Sequence, residues 1–132
     1  MASIFTRIIN REIPAHIIAE TDDFIAFLDI NPLVEGHCLA VPKVEIDYIF
    51  DLPDDTMLGL HRFAKKVAAG IEQVIPCQRI GVTVIGLEVP HAHVHLIPIQ
   101  VMDDMNFARP KLCPGSEELA QTAIKIKEAI SL

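Results

Sequence analysis

Long apolar runs, paired cysteines and clusters of basic residues are all missing from this chain of 132 residues. No stretch reaches the ~18 apolar residues that a membrane span requires, and the N-terminus has no long apolar run after a basic start. We therefore expect a soluble, cytoplasmic protein. The length, with 51% apolar residues, suits a single globular domain over residues 1–132 with its own core.

The cysteines and the net charge limit which metal sites, disulfides and binding partners the sequence supports. Cys38, Cys77 and Cys113 are odd in number, far apart and free of any Cys-x-x-Cys pair, so neither a disulfide framework nor a thiolate zinc site is indicated. The formal net charge of -7 and the absence of a Lys/Arg cluster argue against nucleic acid as a partner. A small anionic ligand remains compatible with the sequence if its pocket is locally positive.

Hydrophobic periodicity predicts five short strands and three helices. The strands are expected near residues 16–20, 24–28, 37–41, 79–85 and 89–99. Ser3 and Ser116 can each begin a short helix close to one end of the chain. The long helix begins near Asp51 and carries an apolar seam, which favours packing on a sheet and also leaves room for a subunit contact; its members are Met57, Leu60, Ala64, Val67, Ile71 and Val74. These elements predict an α+β domain with a mostly antiparallel five-stranded sheet.

Three histidines alternate with apolar residues in the segment Pro90-His91-Ala92-His93-Val94-His95-Leu96. Successive side chains of a strand point to opposite faces, so a strand here would place all three imidazoles on one face and Ala92, Val94 and Leu96 on the other. An imidazole is half polar and titrates near neutral pH, which makes it a poor core residue. Three in register therefore indicate a site rather than surface decoration.

Two chemistries suit such a ladder. Histidines at i and i+2 on a strand can both reach one zinc ion, with His37 or Glu88 as a third ligand. Alternatively, the neutral imidazole of His93 attacks an electrophile such as phosphorus, while His91 and His95 fix its tautomer and donate hydrogen bonds to developing negative charge. Residue types and spacing alone leave both readings open.

The segment His91-Ala92-His93-Val94-His95-Leu96 resembles the signature of the histidine triad (HIT) family. The similarity covers most of the chain, because further pieces match in order and spacing: residues 4–5 and 8–15, Phe27-Leu28-Asp29-Ile30-Asn31-Pro32, Gly36-His37 and Val41-Pro42-Lys43. The resemblance implies a HIT-like α+β fold, a homodimer, and hydrolysis or transfer at the α-phosphate of purine nucleoside phosphoramidates or dinucleoside polyphosphates.

The resemblance also implies residue roles. His93 matches the nucleophile that becomes transiently nucleotidylated, His91 and His95 match the flanking members of the triad, and His37 matches a supporting histidine. Asp29 matches the residue used on the ribose hydroxyls. The positions that sandwich the base are Ile4, Phe5, Ile8, Phe27 and Ile30. Any one of these apolar residues is equally compatible with an ordinary core position.

Two departures from the family pattern stand out. The loop before the triad is short, so Leu87 and Glu88 occupy positions where relatives carry polar groups that hold the phosphate. A carboxylate beside a phosphate is repulsive, which puts substrate preference and full activity in question and makes a nucleotide-binding module without catalysis a third reading. Some relatives also bind a structural zinc, and the matching positions here are Ser3, Thr6 and Glu45. We therefore expect neither that zinc nor any other cofactor.

Overall fold

The computed structural model describes residues 1–132 and contains three α-helices and five β-strands. In chain order they are α1 (Ile4–Ile9), β1 (Ile17–Glu20), β2 (Phe24–Leu28), β3 (Cys38–Pro42), α2 (Asp54–Val74), β4 (Arg79–Thr83), β5 (Val94–Ile99) and α3 (Ser116–Ala129). Two short 3-10 helices, Ile49–Asp51 and Met102–Met105, precede α2 and follow β5. The predicted α+β class is confirmed, and the terminal helix expected from Ser116 is present as α3, with 14 residues.

All five strands form one antiparallel sheet in the order β1-β2-β3-β5-β4. The chain between β3 and β5 makes α2 and the edge strand β4, so β5 is inserted between β3 and β4. This insertion pairs Leu39 on β3 with His95 on β5. The histidine segment therefore enters the middle of the sheet, next to the strand that His37 precedes.

The two faces of the sheet are covered by different helices. Helices α2 and α3 pack on one face over a core cluster of 20 buried residues that includes Ala92, Val94 and Leu96. The short helix α1 packs on the other face, where its Phe5 and Ile8 join Ile25, Phe27, Leu39 and Val41. Packing of α2 on the sheet is thus as predicted. No helix has the length and apolar content that crossing a bilayer would require.

The strand that carries the triad begins later than predicted. β5 starts at Val94, so His91 and His93 lie in the loop that leads into it. The backbone explains the difference, because the N–H of His91 donates to Val89 O (2.8 Å) and the N–H of Ala92 donates to Ile46 O (2.8 Å) rather than to a neighbouring strand. The predicted facing nevertheless holds: the three apolar residues of the motif lie in the α2 core, and the rings of His93 and His95 are neighbours on the other side, 4.9 Å apart between centroids.

Candidate active site

A hydrogen bond between His37 and His95 fixes the protons of both rings. The backbone N–H of Leu33 donates to His37 Nδ1 at 3.1 Å, so this nitrogen must carry a lone pair. In the neutral ring the proton is then on His37 Nε2, which lies 2.9 Å from His95 Nδ1 and donates to it. His95 therefore carries its own proton on Nε2.

His91 and His93 are fixed by backbone carbonyls. His91 Nε2 lies 2.7 Å from Pro42 O, and His93 Nδ1 lies 2.7 Å from the carbonyl oxygen of His91. Because a carbonyl only accepts, both of these ring nitrogens carry the proton. In a neutral His93 the lone pair is therefore on Nε2.

Only two ring nitrogens of the four histidines lack a partner within the protein, His93 Nε2 and His95 Nε2. All four residues are buried, yet no fully buried side-chain nitrogen or oxygen is left without a hydrogen bond, so these two atoms reach solvent. One of them presents a lone pair and the other a proton. A nucleophilic nitrogen and a hydrogen-bond donor thus lie side by side on adjacent rings.

Burial keeps these rings neutral. It lowers the pKa of His37 to about 3, with a further contribution from the charge of His95, and it lowers the pKa of His95 to about 4. Burial also lowers the pKa of His93, partly offset by the hydrogen bond to His91 O, and lowers the pKa of His91. A neutral imidazole is the form that can act as a nucleophile near pH 7.

Asp29 lies beside this cluster at the end of β2. Its Oδ1 accepts from Asn31 N–H (2.9 Å), and its Oδ2 lies 3.7 Å from His37 Nε2. Burial raises the pKa of Asp29, and the negative charge of Glu88 adds to the rise, whereas the positive charge of Lys111 opposes it. The charge of Glu88 also acts to raise the pKa of His93. The carboxylate of the shortened loop therefore acts electrostatically on both the ribose-matching residue and the nucleophile candidate.

The apolar residues expected to sandwich a base separate into two groups. Phe5, Ile8 and Phe27 are buried in the smaller core cluster, whereas Ile4 and Ile30 are exposed. Phe5 is the member closest to the triad, with its ring centroid 4.9 Å from that of His93. The two exposed side chains are free to contact a ligand, and of the three buried ones Phe5 packs directly against the rings of His91 and His93.

The sequence interpretation missed several contacts of the site. Phe107, in the irregular segment after β5, lies edge-on to His95 with 5.0 Å between centroids, and no periodicity pointed to it. Ser3 was interpreted as a helix cap and as a position where relatives hold zinc, but not as a partner of the triad, yet its Oγ lies 2.7 Å from His91 Nδ1. Thr6 and Glu45 join the same network. For these three positions a signal existed in the family resemblance, which matched them to one shared site.

The hydrogen bonds argue against zinc at the histidines. Asp29, His37 and His95 offer ligand atoms within 4.8 Å of one another. However, His37 Nε2 carries the proton as long as Leu33 N–H donates to Nδ1, and His91 has no free nitrogen. A metal would have to displace these bonds and reverse the tautomer of His95. As arranged, the cluster offers one open imidazole lone pair, on His93, besides the carboxylate of Asp29, which is too few ligands for a tetrahedral zinc site.

Comparison with known proteins identifies the family. The sequence model described as HIT domain matches residues 10–102, more than half of the chain. The chain is 38% identical over 99 residues to "Adenosine 5'-monophosphoramidase" of Saccharomyces cerevisiae, covering 74% of this chain and 62% of that protein. It is 37% identical over 99 residues to an uncharacterized HIT-like protein of Methanocaldococcus jannaschii, covering 72% and 77%.

Solved structures share the fold. A HIT-like protein from Bartonella henselae, described as involved in cell-cycle regulation, has a TM-score of 0.85 at 28% identity and covers 97% of this chain and 96% of its own. A zinc-bound histidine triad family protein from Mycobacterium smegmatis has a TM-score of 0.82 at 24% identity, with coverage of 98% and 93%, and is similar in fold alone. On the sequence matches and the arrangement of its histidines, this chain belongs to the histidine triad family.

Proposed function

We propose that this protein is a nucleotide hydrolase or nucleotidyl transferase that acts at the α-phosphate of a purine nucleoside phosphoramidate or dinucleoside polyphosphate. His93 is the nucleophile and becomes transiently nucleotidylated. The observation that carries the proposal is the 2.7 Å hydrogen bond from His93 Nδ1 to His91 O, which leaves the Nε2 lone pair free and facing solvent. No other ring nitrogen of the cluster combines a lone pair with access.

In the first step His93 Nε2 forms a bond to the α-phosphorus, and the bond from phosphorus to the leaving nitrogen or oxygen breaks. The leaving group departs with the electron pair of that bond. His95 Nε2–H, one ring away, is the donor toward the negative charge that develops on the phosphoryl and leaving-group atoms. Water then attacks the phosphorus, the bond to Nε2 breaks, and the lone pair of His93 is restored.

The tautomers determine which proton His95 can offer. His37 Nε2–H donates to His95 Nδ1 and holds the His95 proton on the outward nitrogen. A leaving amine takes up one proton from solvent, and the attacking water later returns one to solvent, so the protons balance over the two steps while the neutral His95 keeps its proton on Nε2 and donates it only as a hydrogen bond. The lowered pKa of His95 suits this role, because neither step starts from a buried positive charge.

The nucleoside is expected to lie between Asp29 and α1. Asp29 Oδ2 is positioned to accept from the ribose hydroxyls, and the exposed side chains of Ile4 and Ile30 offer apolar contact to a base. The names of the relatives from two yeasts, Saccharomyces cerevisiae and Schizosaccharomyces pombe, support adenosine 5'-phosphoramidate as the first substrate to test.

The test is to detect the covalent intermediate. Rapid mixing of the protein with adenosine 5'-phosphoramidate, followed by quenching in alkaline denaturant, which preserves the acid-labile bond from phosphorus to histidine, and intact-mass spectrometry, should reveal a protein heavier by one adenylyl group, located on His93 by peptide mapping. His93→Ala should form no adduct and release no ammonia, while calorimetric titration still detects binding of AMP. Turnover by His93→Ala would refute the assignment, and AMP binding without any turnover by the wild type would identify a binding module.

We also propose that the protein forms a homodimer, as the resemblance implies. The support is the edge strand β4, which pairs on one side only and leaves Val82 56% exposed. An unpaired apolar edge strand readily pairs with another chain. Light scattering after size-exclusion chromatography should give twice the chain mass, and Val82→Lys should shift the population to monomer.

A further inference from the structure

A network of short hydrogen bonds joins the N-terminus of the chain to the triad. Ser3 Oγ accepts from Thr6 N–H (3.1 Å), which caps α1, and lies 2.7 Å from His91 Nδ1. Because His91 Nε2 donates to Pro42 O, Nδ1 has the lone pair and the Ser3 hydroxyl is the donor. Ser3 therefore serves two partners, the helix and the first histidine of the triad.

Glu45 holds Ser3 in place from the loop after β3. Its Oε1 accepts from Ser3 N–H at 2.7 Å and from the Thr6 hydroxyl at 2.6 Å. The next residue in this loop, Ile46, accepts through its carbonyl from Ala92 N–H at 2.8 Å. One short loop thus anchors both α1 and the backbone between His91 and His93.

We infer that Ser3, held by Glu45, is a positioning residue for the nucleophile. Ser3 Oγ and Pro42 O each form a hydrogen bond with one ring nitrogen of His91, and the carbonyl of His91 accepts from His93 Nδ1 at 2.7 Å. This carbonyl keeps the proton on Nδ1 and the lone pair on Nε2. The inference rests on the proposed role of His93 and adds residues to it that do not touch the substrate.

Burial explains why the loss of the Ser3 hydroxyl alone would disturb the position of His91. His91 is fully buried at 0% exposure and Ser3 is 6% exposed, so solvent does not readily replace a lost bond to Nδ1. A buried acceptor without a donor is costly, and the ring would turn to find another partner. Repacking of the freed ring would shift the His91 segment together with its backbone carbonyl, and a displacement on the order of 1 Å at a reacting group can cost 100-fold in rate.

The same network holds a second contact to His93. Phe5 lies within the first turn of α1, which Ser3 caps, and its ring meets that of His93 edge to face at 4.9 Å between centroids. A loosened α1 therefore loses the ring that packs against the nucleophile as well as the carbonyl that orients it.

The experiment compares Ser3→Ala with Ser3→Thr, which keeps the hydroxyl and the helix cap. With adenosine 5'-phosphoramidate, Ser3→Ala should lower kcat about tenfold or more with KM nearly unchanged, and Ser3→Thr should recover most of the loss. Long-range nitrogen NMR should show His93 wholly as the Nδ1–H tautomer in the wild type and as a mixture with the Nε2–H tautomer in Ser3→Ala.

Two further variants separate positioning from general destabilisation. Thr21→Ala removes the same kind of bond, from Phe24 N–H to Thr21 Oγ1 at 3.1 Å, in a turn that is hydrogen-bonded to no histidine, and should leave kcat unchanged. Glu45 is exposed, so Glu45→Ala should lower kcat in the same direction as Ser3→Ala but by a smaller amount. It replaces Ser3→Ala as the test if Ser3→Ala fails to fold.

An unchanged kcat and an unchanged His93 tautomer in Ser3→Ala, or in Glu45→Ala if Ser3→Ala fails to fold, overturn the inference. A wild type without turnover refutes the proposed function, and the NMR measurement then still tests the positioning.

Discussion

His37 Nε2 lies 2.9 Å from His95 Nδ1, and the direction of this single hydrogen bond determines where the proton of His95 is found. The direction is set by the Leu33 N–H, which donates to Nδ1 of His37 and so leaves the His37 proton on Nε2. A backbone amide in the loop before β3 thereby sets the protonation pattern two rings away. The remaining properties of the site follow from the same principle, that buried imidazoles take the tautomer their partners require.

Replacing His37 by Ala tests whether this hydrogen bond fixes the tautomer of His95. His95 Nδ1 would lose its donor, its tautomer would no longer be fixed, and we expect kcat with adenosine 5'-phosphoramidate to fall about tenfold to 100-fold. The buried acceptor left behind should also lower the free energy of unfolding by about 1–3 kcal/mol. Steady-state kinetics and urea unfolding measure the two effects. His61→Ala, at an exposed position on α2, is the control and should change neither quantity. Full activity in His37→Ala would contradict the role of His37 in fixing the tautomer of His95.

Acid should destabilise the protein in a defined window. In the unfolded chain a histidine titrates near pKa ~6.5, whereas in the folded protein the pKa of His95 is about 4 and that of His37 is about 3. Between these values the unfolded state binds more protons than the folded state, so the free energy of unfolding falls as pH decreases from ~6.5 toward 4, by about 1.4 kcal/mol per pH unit for each histidine.

Urea unfolding at a series of pH values measures this slope. His95→Asn should flatten the slope by about one histidine's share, because Asn does not titrate. Control measurements on His61→Ala should reproduce the wild-type slope. A slope that is the same in His95→Asn and the wild type would mean that His95 is not held neutral by the fold.

Removing Phe107 should raise the pKa of His95. Its ring lies 5.0 Å from that of His95 and 6.1 Å from that of His37, and thus contributes to the burial that lowers both pKa values. In Phe107→Ala, water reaches the imidazole and the pKa should return toward its ordinary value. Proton NMR titration of the histidine ring resonances measures the shift. Phe50→Ala, at a side chain that is 74% exposed, should leave the His95 titration unchanged.

Replacing Glu88 by Ser should strengthen the binding of AMP. The carboxylate raises the pKa of Asp29 and of His93 through its charge, so it also opposes an anionic phosphate near His93. Because Glu88 is exposed, the gain is screened by solvent, and we expect about two- to fivefold in Kd at low ionic strength, shrinking as salt is added. Calorimetric titration measures it, with Glu72→Ser on the exposed surface of α2 as the control. Weaker binding in Glu88→Ser would show that the carboxylate contacts the ligand instead.

The sequence by itself determined which elements form and how their side chains face. The seam of α2, the cap at Ser3 and the separation of Ala92, Val94 and Leu96 from the histidines all follow from local periodicity and turn chemistry. Such patterns are visible in sequence because each depends on neighbours within a few residues. The triad itself was evident for the same reason.

Tertiary structure alone decided which nitrogen of each histidine is free. The partners that fix the rings come from distant parts of the chain: Ser3 lies 88 positions from His91, and His37 lies 58 positions from His95. It also placed Phe107 against the cluster and began β5 at Val94, because a backbone group takes whichever partner the packed chain brings near. Three alternating histidines are as compatible with zinc as with a nucleophile until those partners are known, since a proton's position depends on long-range hydrogen bonds that no local spacing encodes.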